Sequence, residues 1–164
     1  MSDIRPVYHD IGPEIADRIR GRVTIAGIGN IIRGDDGLGP KLIELLKARR
    51  VNAGLFDCGT APENYILPML RSLCDTLILV DAANMALEPG VAMVLDTEDI
   101  SKISFSTHSP SPRLFIDLLK MGKEDLNIFI LSVQPKNTAL GAPISEEVLK
   151  SLAGLTETLS RILA

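Results

Sequence analysis

Tryptophan is absent from this 164-residue sequence, and Tyr and Phe contribute only two and four residues. Any core must therefore be aliphatic, built from Leu, Ile, Val and Ala. Positive charge is not in excess: 17 Lys and Arg stand against 21 Asp and Glu, a net charge of −4. That balance does not create the field that nucleic acid or anionic lipid demands. Cysteine is scarce. Cys58 and Cys74 both lie in apolar surroundings and read as buried free thiols of a cytoplasmic protein. No apolar run approaches the ~18 residues of a membrane span. Met1-Ser2-Asp3-Ile4-Arg5 has no apolar h-region, so no signal peptide is expected. Repeats and low-complexity stretches are also missing. With 46% hydrophobic and 23% charged residues, the chain reads as one ordinary globular domain, not a disordered, collagenous or coiled-coil sequence.

What is present alternates between strand and helix signals. Residues 1–22 form a polar lead-in, in which Gly12-Pro13-Glu14 followed by Ile15 and Ile19 predicts a short amphipathic helix. Val23–Gly29 is a β-type run ending in glycines. Leu38–Arg50 carries Leu42, Ile43, Leu45 and Leu46, with Pro40 near its start and basic residues at its end, a helix of correct polarity. Ala53–Asp57 reads as a strand, and Thr60-Ala61-Pro62-Glu63 as a capping box opening a helix to about Leu73. Thr76–Asp81 is apolar up to its final acid, as suits a central parallel strand. Val91–Leu95 is a further strand, whose short connection from Asp81 favours an antiparallel edge position. A polar loop over 104–112, a helix over 113–121 and a strand over 127–133 follow. Ser145-Glu146-Glu147 caps a last helix, where Val148, Leu152, Leu155, Leu159 and Ile162 mark one face. The predicted fold is a single three-layer α/β domain. About five strands form a mostly parallel sheet, one edge strand runs antiparallel, and helices cover both faces.

In such sheets ligands bind outside the carboxyl ends of the strands. The polar residues falling there are Asn30, Asp35, Asp36, Asp57, Asp81 and Gln134, and His108 lies in a loop able to reach the same edge. The glycine-rich stretch after the first strand lacks the third glycine of a dinucleotide fingerprint, and no Gly-Lys-Ser/Thr follows. Two adjacent carboxylates would repel a phosphate. They suit a cation, and Asp36, Asp81 and His108 offer two oxygens and an imidazole, a set matched to Ni, Zn, Co or Mn. Each residue also has a plainer role available. Asp36 can cap the helix, Asp81 can bind strand-end amides, and His108 can be an idle loop residue. His9 reads as solvated, and Glu63 as part of the capping box.

Gly27-Ile28-Gly29-Asn30 with Gly34-Asp35-Asp36-Gly37-Leu38-Gly39-Pro40 resembles the signature of the nickel–iron hydrogenase maturation endopeptidases. Asp57-Cys58-Gly59-Thr60-Ala61-Pro62-Glu63-Asn64, Leu79-Val80-Asp81-Ala82, Thr107-His108 and Val133-Gln134-Pro135 match in order. The likeness spans residues 23–164, the expected protease-like domain. The Ala-Pro-Glu-Asn and Gln-Pro segments look most like the branch serving formate-hydrogenlyase-type, energy-converting hydrogenases. The resemblance implies a cytoplasmic peptidase, aspartic-type by family convention, that trims the C-terminus of a hydrogenase large-subunit precursor after nickel insertion. It places the nickel-contacting positions on Asp36, Asp81 and His108. It also implies that nickel arrives with the substrate and is not held tightly by the free enzyme. Cys58 stands where glycine is common in the family. Two rival readings remain: a non-catalytic nickel chaperone using the same ligands, and a nucleotide- or phosphate-binding α/β module.

Overall fold

The most continuous apolar runs make the middle of a sheet. The computed structural model describes residues 10–105 and 112–164. Its strands are β1 (Val23–Ile28), β2 (Gly54–Gly59), β3 (Thr76–Asn84), β4 (Ala92–Leu95), β5 (Ser104–Phe105) and β6 (Asn127–Val133). The main sheet has the order β2-β1-β3-β6-β4, with the first four strands parallel and β4 antiparallel to β6 at the edge. The antiparallel edge strand is therefore as expected. β5 adds a short antiparallel pairing to the far end of β3, Ala83 opposite Phe105 and Asn84 opposite Ser104.

Side-chain alternation sends the two faces of the strands into two cores. Ile25, Ile78, Val80, Phe129 and Leu131 pack under α1 (Gly12–Arg18), α2 (Leu38–Arg49) and α5 (Glu146–Ile162). Leu77, Leu79, Ile128 and Ile130 pack under α3 (Ile66–Arg71) and α4 (Pro112–Gly122). With both faces covered, the central strands can be apolar throughout. Ile11 and Ile15 are buried in the same core as α5, so the chain from residue 10 packs as part of this body. The α5 face is as predicted: Val148, Leu152, Leu155 and Leu159 are buried, and full burial of each such side chain contributes about 1.5–3 kcal/mol.

Two predicted caps are corrected. No capping box forms at Thr60–Glu63: a tight 3-10 turn, Pro62–Tyr65, comes first, α3 starts only at Ile66, and neither start carries a side-chain cap. Pro62 sits in the first turn and the helix stops at Arg71, short of the predicted end, where Leu73 adopts a left-handed φ of 53°. A capping box does form where none was expected, between Asp96 and Asp99. At α5, Ser145 occupies the N-cap position but makes no side-chain cap. Its hydroxyl is engaged elsewhere.

β1 sits between β2 and β3, so the chain leaves β1 toward one side of the sheet and later reaches β3 on the other. The switch point therefore lies at the carboxyl ends of β1 and β3, where the following loops diverge and open a crevice.

Candidate active site

The loop after β1 is built by close approaches that only glycine permits. Gly29 has φ +149°, and a Cβ there would lie 1.9 Å from the Asp36 carbonyl oxygen. Its N–H donates to the Gly59 carbonyl at 2.8 Å. The next N–H, of Asn30, donates both to the Asp36 carbonyl (3.1 Å) and to its Oδ2 (3.2 Å). The chain then closes a 3-10 turn, Gly34–Gly37, and passes directly into α2. Asp36 is 1% exposed and stands just ahead of a helix N-terminus, where a carboxylate is favoured by the backbone dipoles.

The neighbouring acid faces elsewhere. The Asp35 carboxylate accepts bonds from the backbone N–H groups of Lys136, Asn137 and Ser145 and from the Ser145 hydroxyl. The expectation that both acids face the same ligand is therefore corrected: Asp35 is occupied by the segment after β6.

Asp81 is 3% exposed and lies on β3 one residue past Val80, the register partner of Gly27. It shares its face of the sheet with Leu77 and Leu79 and pairs with Ser132 of β6. β3 packs against the 3-10 turn that carries Asp36. The two predicted acids therefore flank the switch point. Ser132 was missed by sequence reasoning. It is fully buried, and its hydroxyl has no hydrogen-bond partner among the described residues. Its signal was a single polar residue at the end of an apolar run. Gln134 closes the loop after β3, since its Oε1 accepts the Met85 N–H at 2.7 Å. His108, with His9, lies outside the described residues. Among the described residues, no group of three or more His, Cys, Asp or Glu side chains forms a metal site.

A groove of about 520 Å³ runs between α2 and the end of β2, lined in part by Ile31, Gly37, Pro40, Ile43, Lys47 and Asp57. Ile31, which lines this groove, is 74% exposed, and Ile32 (58%) and Leu140 (67%) are also open to solvent.

Cys58 is the next-to-last residue of β2. It is buried in the core with Met69. Burial, and then the neighbouring Asp57 charge, push its thiol from 9.0 up to about 12. The folded protein keeps this proton to higher pH than the unfolded chain does. This contribution to stability is therefore present in full below pH 9 and is lost as pH rises toward 12. Cys58 should react with iodoacetamide near neutral pH only after denaturation, measured by mass. Rapid labelling of native protein would show the thiol to be accessible.

These features define an α/β protein with its polar chemistry at the carboxyl edge of a doubly wound sheet. A family model, described as hydrogenase maturation protease (HycI), matches residues 40–162. The hydrogenase 3 maturation protease of Escherichia coli K12 is 34% identical over 124 residues, covering 74% of this chain and 78% of that protein. The crystal structure of a [NiFe] hydrogenase maturation protease HycI from Thermococcus kodakarensis superposes with a TM-score of 0.83 at 28% identity, covering 92% of this chain and 98% of the other. The solution structure of the endopeptidase HycI from Escherichia coli gives 0.77 at 30% identity, covering 85% and 90%. The chain belongs to the hydrogenase maturation protease family, on its HycI branch, and is a peptidase. Among the described residues no helix is long and apolar enough to cross a membrane.

Proposed function

We propose that this peptidase acts in the cytoplasm, removing the C-terminal extension of a nickel–iron hydrogenase large-subunit precursor after nickel has been inserted. Asp36, Asp81 and His108 would contact the nickel that the precursor carries. The observation supporting this most is the pair of buried carboxylates flanking the switch point, on a chain whose relatives are named hydrogenase maturation proteases. Two desolvated acids suit a divalent cation and disfavour an apolar or anionic ligand.

Nickel belongs to the substrate in this reading and serves as its sign of readiness. A nickel-free precursor brings no positive charge to offset the desolvation of the acids, so it binds less well. A loaded precursor is oriented by the ion with its scissile peptide beside the site. Hydrolysis then adds water to that carbonyl, breaks the C–N bond and delivers a proton to the departing amine.

The test mixes the protein with nickel-loaded and nickel-free precursor and follows precursor mass. The expected result is loss of a C-terminal peptide from the loaded form alone. Equal cleavage of both forms would remove nickel from recognition, and tight binding without a mass change would make the protein a chaperone. Elemental analysis of the isolated protein should find little metal, and chelator should leave its Tm nearly unchanged, because an incomplete ligand set awaits the substrate's own donors. Stoichiometric zinc with a large melting shift on its removal would instead indicate a resident catalytic metal.

A further inference from the structure

We propose that Asp35 is the positioning residue of this site: it locks the turn carrying Asp36 to the segment after β6 and so sets the direction of the Asp36 carboxylate. The inference rests on the reading of Asp36 as a group that meets the substrate's nickel.

Asp35 is fully buried, and both of its oxygens are used. Oδ2 accepts from Lys136 N (2.8 Å), Asn137 N (3.0 Å) and Ser145 Oγ (2.9 Å), while Oδ1 accepts from Ser145 N (2.7 Å). Its own N–H donates back to the Asn137 carbonyl at 2.9 Å. Every one of these partners lies at least 101 residues away in sequence. The Ser145 hydroxyl, which would ordinarily cap its own helix, is given to Asp35.

The backbone is held as tightly as the side chain. A Cβ at Gly34 would fall 2.4 Å from the Asn137 carbonyl oxygen. On the other side, the Asn30 N–H grips the Asp36 carbonyl. A second tie, Gly141 N–H to the Ile32 carbonyl at 2.8 Å, joins the same two segments. With residues 34–36 clamped from both sides, the Asp36 side chain leaves its backbone in one direction.

The chemistry requires aspartate. All four partners are donors, and a carboxylate is acceptor-only. Asparagine has the same shape, but its NH₂ opposes the Ser145 N–H when it replaces Oδ1, and the Lys136 and Asn137 N–H groups when it replaces Oδ2. Glutamate would push the segment outward by a methylene. Small displacements of a catalytic group can cost about a hundredfold in rate.

The test is steady-state processing of nickel-loaded precursor at a temperature where every variant is folded by its melting curve. Asp35→Asn should lower kcat about 10- to 100-fold, with KM within about twofold. Exchange of the Lys136, Asn137 and Ser145 amides should quicken. Ser145→Ala removes only the hydroxyl donor and should lower kcat by about threefold to tenfold. This milder variant decides the matter if Asp35→Asn fails to fold. Leu155→Ala destabilises the protein from inside the core and should leave kcat unchanged. Unchanged kcat in folded Asp35→Asn despite faster exchange overturns the proposal, as does unchanged kcat in Ser145→Ala, or an equal kcat loss in Leu155→Ala. Asp36→Asn run alongside separates the two ideas: full activity there sinks the reading of Asp36 itself.

Discussion

Asp36→Asn and Asp81→Asn are each expected to cut processing of nickel-loaded precursor by about 10²-fold or more while leaving a cooperative melt. Both substitutions keep the side-chain shape and remove the negative charge proposed to meet the ion. The Asp36 carboxylate accepts the Asn30 N–H at 3.2 Å, and an amide oxygen can still accept that bond. Asp81 is 3% exposed within β3, so the isosteric change avoids the cavity an alanine would leave. Precursor mass against time gives the rate, and thermal melting gives the stability. Wild-type rates in either variant would remove that residue from the site. A loss of rate matched by a collapse of the melting transition would show a structural role instead.

Gly39→Ala is expected to destabilise the fold by overpacking. A Cβ at this position would lie 2.4 Å from the Ile28 carbonyl oxygen, 2.6 Å from the Ile28 nitrogen and 2.7 Å from the Val80 carbonyl oxygen. All three atoms are sheet backbone, so no side chain can swing aside. Gly39 lies in the first turn of α2, and the helix itself must retreat. Alanine would gain up to about 1 kcal/mol in helix propensity. Overpacking against rigid atoms costs about 3 kcal/mol or more, which leaves a net loss of about 2 kcal/mol. For a chain of this size, that lowers Tm by roughly 4–8 °C. Processing should also fall, because the retreating turn carries Asp36 with it. Gly141→Ala is the comparison. Its Cβ would meet nothing within 4 Å, so only the φ of +80° is strained, at a cost of about 1–2 kcal/mol. An unchanged Tm in Gly39→Ala would refute the close helix–sheet approach.

Much of this fold was legible because its signals are local. The strand over Asn127–Val133 and the apolar face of α5 follow from side-chain periodicity. The antiparallel edge strand follows from a connection too short for a crossover helix. The β1–α2 loop announced itself through glycines that the structure packs against backbone at Gly27, Gly29 and Gly39. The errors fell where a local pattern fits more than one register. Thr60-Ala61-Pro62-Glu63 has the spacing of a capping box, but helix α3 begins at Ile66, after a 3-10 turn. Ser145 has the right type and place for a cap, yet a buried carboxylate competes for its hydroxyl and wins.

The sequence by itself determined the order of elements, the apolar faces that close both cores, and the acids that would stand at strand ends, since each depends on neighbours a few residues away. The resemblance picked Asp36, and not Asp35, for the ligand set. What Asp35 does instead was visible only in the tertiary structure, because a carboxylate's partners are set by the donors that reach it. For Asp35 these are backbone amides arriving from beyond β6, while Asp36 accepts the Asn30 N–H from its own loop.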